Sequence, residues 1–126
     1  MRWQTFAFAL LLALGATARS AEDDIDTDLM HSIEDTNKSL ASNIAAQAAQ
    51  AAGSDAKELD GMFAQVESFY VRKGDAPDAV ALAKKIRELS VRIQQSVSAS
   101  DFAAATDNAT TLARTCKTCH SYYKKS

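Results

Sequence analysis

Apolar positions recur along this chain at the three-and-four spacing of a helix, not in the alternation of a half-buried strand. Between Thr27 and Ala52, the residues Met30, Ile33, Asn37, Leu40, Ala41, Ile44 and Ala48 share one face and predict a first helix. Asp26, Thr27 or Asp28 can cap its start, where side-chain oxygens take up free amides and acids suit the helix dipole. The Ala-rich run Ala45 to Ala52 reads as closely packed helix, and Gly53 is expected to end it. A second stripe, Leu59, Met62, Phe63, Val66 and Phe69 or Tyr70, begins after Ser54 or Asp55. Asp55 followed by Glu58 resembles a capping box, and Gly74 marks the end. A third helix is expected from around Asp75 to Pro77, since proline is tolerated in a first turn. Its stripe is Val80, Leu82, Ile86, Leu89, Ile93 and Val97. After the polar break Ser98 to Ser100, a fourth opens at Ser100 or Asp101. It carries Phe102, Ala105, Ala109, Leu112, Cys116, Cys119, His120 and Tyr123 on one face, with Lys124 and Lys125 suiting the dipole at its end. Four amphipathic helices with short connections predict an all-α, antiparallel up-down four-helix bundle.

Composition narrows this picture. The 126 residues fit one domain, and only 4 Gly and 1 Pro argue against the many turns of a sandwich or barrel. A formal charge of −2 argues against nucleic acid as the main partner, because phosphate binding needs a basic surface. The first residues follow a different rule. Arg2 gives a positive start, Phe6 to Leu14 is apolar, and small residues Ala16, Ala18 and Ser20 follow. This pattern predicts a signal peptide over residues 1–20, cleaved after Ala18 or Ser20, with the bundle domain in 21–126 and export to the periplasm. The apolar run is short for a bilayer span, and no later segment is apolar enough to cross a membrane.

Chemistry concentrates in Cys116-Lys117-Thr118-Cys119-His120, a C-x-x-C-H run of the kind that attaches haem c. Two thiols add across the two vinyl groups, and the imidazole that follows binds the iron. On a helix, Cys116 and Cys119 are i and i+3 and His120 is i+4, so all three project from one side. Other readings of the pair are weaker. Redox disulfides favour a helix N-terminus, where the dipole lowers a thiol pKa, and this pair lies near a helix end. A zinc site needs a further ligand, for which only His31 offers itself. A sixth iron ligand can come from methionine. Met30, near the start of the first helix, lies beside the end of the fourth in an up-down bundle. Met62 reads as a core filler. His31, about 100° further round than Met30, is expected to face solvent.

With these residues in place, the chain resembles the class II c-type cytochromes, the cytochrome c′ family, and is similar to the cytochrome b562 bundle. Asp28-Leu29-Met30 with Ile33 looks like the opening that supplies a Met ligand. Leu112 to Lys125 looks like the helix that supplies His, with the thioether cysteines added. The resemblance implies that Cys116 and Cys119 hold one haem c, with His120 and Met30 as axial ligands of six-coordinate, low-spin iron. The acidic segment ahead of the first helix departs from relatives with a basic residue near the haem. Lys124, Arg114 and Lys117 are candidates to meet the propionates.

The expected function is periplasmic electron transfer to redox partner proteins, with no enzyme activity of its own. Arg114, Lys117, Lys124 and Lys125 are placed to form a docking patch for an acidic partner. A second reading is a five-coordinate haem protein binding NO or CO, which applies if Met30 does not ligate. A third is an exported dithiol protein without haem. Bundles of this kind occur as monomers and as homodimers.

Overall fold

The structure, a computed structural model, describes residues 25–123, and side chains as far as Ser121. The expected leader over residues 1–20 and the lysines Lys124 and Lys125 lie outside the described residues, as does the side chain of Tyr123. Four helices follow in order: α1 (Thr27–Ala45), α2 (Ala49–Lys73), α3 (Pro77–Ser98) and α4 (Phe102–Tyr123). They form the expected antiparallel bundle, each helix packing on its chain neighbours and α1 closing on α4. The four pairs are unequal. The α2–α3 pair is the most densely packed and the α1–α4 seam the most sparsely packed. No described helix is long and apolar enough to cross a membrane.

Capping follows the side chains available. Asp26 caps α1 by accepting from the Leu29 amide at 2.7 Å, and Asp101 caps α4 by accepting from the Ala104 amide at 3.1 Å. Pro77 opens α3, and Gly74 ends α2 at φ 76, a left-handed value that glycine adopts without steric cost.

The first reversal lies earlier than the residue pattern predicts. Helix α1 ends at Ala45 instead of Ala52, and Gly53 lies inside α2. Gln47 takes the left-handed position at φ 54. The Ala48 amide then reaches back to the Asn43 carbonyl at 2.9 Å, which satisfies an end carbonyl of α1. Asp55 is therefore no cap. It sits within α2 and accepts from Ser39 Oγ at 2.8 Å and Asn43 Nδ2 at 2.7 Å, tying α2 to α1. The third reversal repeats the device, with Ser100 at φ 57 and the Asp101 amide on the Ser96 carbonyl at 2.8 Å.

The core is a continuous aliphatic column, with Leu40, Leu59, Ile86, Ile93 and Leu112 almost wholly buried. Met62 is buried within it, as the core-filler reading expects. Two stripes are rotated from expectation. On α1, Thr36 is buried while Asn37 is half-buried and Ala41 exposed. On α3, Ala79 and Ala83 are buried where Val80 and Leu82 were expected, and those two are only half-buried.

Candidate functional site

The sparse α1–α4 seam widens, towards the end that holds the start of α1 and the end of α4, into a cleft of about 550 Å³. That volume falls within the range of about 300–1,000 Å³ typical of ligand sites. Three walls enclose it. Met30, Ile33, Glu34 and Asn37 come from α1; Phe63, Val66 and Tyr70 from α2; Cys116, Cys119 and His120 from α4. Helix α3 contributes no lining residue. The α2 wall is built by i, i+3, i+7 spacing, which stacks an aromatic, an aliphatic and an aromatic side chain along one stripe.

All four residues singled out by sequence meet here. Cys116, Cys119 and His120 project from a single turn of α4, and Met30 faces the same space from α1. Met30 is half-buried and packed against the core, as is Cys116. His120 is exposed, so its ring lies at the open side of the cleft. His31 is exposed as expected, yet it also lines the cleft mouth with Glu34. A purely helical projection, which places His31 about 100° round from Met30, misses this.

The two thiols are free. Burial, aided by the neighbouring Cys119, pushes the Cys116 thiol up to about 11, and burial raises Cys119 as well. That is the reverse of an activated redox cysteine, whose thiol is held low. Regular helix geometry also separates i and i+3 Cβ atoms by about 5–6 Å. A disulfide needs about 3.5–4.5 Å. Closing one would distort this turn. Among the described residues, no group of three or more His, Cys, Asp or Glu side chains is placed to hold a metal ion.

Charge at the mouth is acidic on the α1 side. Asp26 and Glu34 line it, and no Lys or Arg does so among the described residues. The Glu34 carboxylate is held below its ordinary range, first by Lys38 at 2.9 Å and then by the imidazoles of His31 and His120. Arg114 and Lys117 are exposed on α4 but do not line the cleft.

Comparison of the chain with models of protein families, with curated proteins and with solved structures finds no match.

Proposed function

We propose that this chain is a periplasmic electron-transfer protein carrying one covalent haem c in the α1–α2–α4 cleft. One observation carries the reading. Met30, near the start of the fold, and the Cys116-x-x-Cys119-His120 turn, near its end, line the same apolar cleft. Haem supplies an iron that alternates between ferric and ferrous states. The chain's own residues would do the rest. Cys116 and Cys119 would hold the macrocycle on α4. His120 and Met30, from facing helices, would both hold the iron, and two lasting protein ligands limit rearrangement on electron transfer. Ile33, Phe63 and Val66 would exclude water and favour the less charged iron site. The exposed His120 side of the cleft would bring the cofactor's edge near the surface, where a partner docks.

Several observations support the fit. The cleft has the size of a ligand site, its walls are mainly apolar, and both thiols are unpaired. The test of this reading is the mass of the purified, denatured protein after expression in a host that matures c-type cytochromes. A retained haem increment that vanishes in the double change Cys116→Ser, Cys119→Ser is expected. The bare polypeptide mass in the unaltered protein refutes the reading and leaves a dithiol protein.

The gas-binding reading separates at Met30. If Met30 holds the iron, reduced protein would be indifferent to CO, and Met30→Ala would make it take CO up. CO binding by the unaltered protein would instead favour a sensor or scavenger of diatomic gases.

A further inference from the structure

Helix α1 is held unevenly along its length. Its C-terminal half buries Leu40 and Ile44 almost completely and is tied to α2 by the Ser39–Asn43–Asp55 hydrogen bonds. Its N-terminal half buries one aliphatic residue, Ile33, and a threonine, Thr36. Leu29 and Met30 pack against the core there but are only half-buried, and Met30 also lines the cleft. Towards α4, no hydrogen bond of this half is found among the described residues, and its polar link is the longer-range attraction between Glu34 and His120.

Energetics follow from that difference. Lifting a segment off its support costs about 25 cal/mol for each Å² of apolar surface exposed. A half-helix that buries one isoleucine fully and Leu29 and Met30 in part, with a hydroxyl that regains water on release, opens at less cost than the whole bundle. Local openings of this kind are drawn from the weakly packed parts of a fold.

We infer that residues 27–37 of α1 form a lid over the cleft, which lifts as a unit about the Ser39–Asn43–Asp55 clasp while α2, α3 and α4 stay packed. The lid gives a bulky, flat guest a way in without unfolding the core. It also carries Met30, so closing the lid brings the thioether to the site. Opening of this lid does not depend on what fills the cleft.

Native-state amide hydrogen exchange on the purified protein tests it. The amides of His31 to Asn37 are expected to exchange at one common rate, about tenfold or more faster than those of Ile86 to Val97 in α3, with little dependence on low denaturant. A ligated Met30 slows the whole block together and leaves it a block. Thr36→Val removes the hydroxyl's preference for water and slows the block several-fold without changing α3. Ile33→Val speeds it, again leaving α3 unchanged. Asp55→Ala releases the pivot, so that the fast block extends towards Ala45. Two results overturn the inference. One is exchange of the block only with α3, at the same rate and denaturant slope. The other is a smooth gradient of rates from His31 to Asn37, which is the pattern of an end that frays and not of a lid.

Discussion

The α2–α3 hairpin and the α1–α4 seam are made from helices of similar length, yet they do opposite work. In the hairpin, Leu59, Ile86 and Ile93 are fully buried, and Arg87 straps the outer side. Its Nε donates to Asp60 at 2.9 Å and its Nη1 to Glu67 at 2.7 Å. Across the seam, space is left where packing would otherwise be, and the residues with chemistry line that space. A bundle can hold a guest only if some pair of helices gives up contact, and the other pairs must then supply the stability. The proposed guest and the proposed lid therefore fall on the same, loosely packed side of the bundle.

Matched truncations in the two regions should differ most. Ile86→Ala should cost about 3–4 kcal/mol, because it leaves a cavity among rigid neighbours. Ile33→Ala should cost about 2 kcal/mol, since the cleft side can relax around the loss. Urea unfolding of both variants measures the gap. Equal costs would mean that the seam is as firmly built as the hairpin.

The next effect in size is a pH dependence confined to the cleft. In the haem-free chain the Cys116 thiol titrates at about 11, against an ordinary value of 9.0. The folded state therefore holds its proton more tightly than the unfolded chain does. The associated stability is complete below pH 9 and is lost as pH rises towards 11, a fall of order 2 kcal/mol. The difference between the unfolding curves of the unaltered chain and Cys116→Ser isolates it. A thioether has no such proton, so haem-loaded protein should show no difference of this origin.

A smaller loss is expected in the hairpin. Arg87→Gln leaves the carboxylates of Asp60 and Glu67 facing each other without a cation. The Arg87 side chain is 39% exposed, and solvent screening limits the cost to about 1 kcal/mol. Raising the salt concentration should shrink the difference between variant and parent, and a salt-independent cost would point to lost packing instead.

The smallest predicted change is a gain. Gln47 holds a left-handed backbone at φ 54 that suits glycine better. Gln47→Gly should raise stability by about 0.5 kcal/mol, the relief of strain exceeding the extra freedom glycine brings to the unfolded chain. Thermal unfolding reads this directly, and a lowered midpoint would show that Gln47 is not strained.

Most of the fold was legible because each helix buries one stripe, and a stripe at helical spacing is visible in sequence. Gly74, Pro77 and Asp101 punctuate the helices as their chemistry suggests. The α1–α2 reversal was not legible, since the left-handed position falls to Gln47 while the nearby Gly53 stays helical. Gly53 instead faces Val97, whose Cγ2 would lie 3.5 Å from an added Cβ. The rotated stripes have a related cause. Periodicity weights large side chains, whereas tightly packed helices bury small ones, so Ala79 and Ala83 are buried where Val80 and Leu82 were expected. The α4 side of the site was plain in the C-x-x-C-H spacing. Met30 could be placed only by combining its stripe with an up-down topology. The α2 wall of Phe63, Val66 and Tyr70 reads in sequence simply as core, because a stripe facing a cleft and a stripe facing a helix have the same spacing.

The visible spectrum of protein matured in the periplasm tests the central claim most directly, recorded oxidised and reduced, with and without CO. A low-spin haem c spectrum that CO leaves unchanged until Met30 is replaced is expected. A colourless protein, or a high-spin spectrum that takes up CO at once, contradicts it.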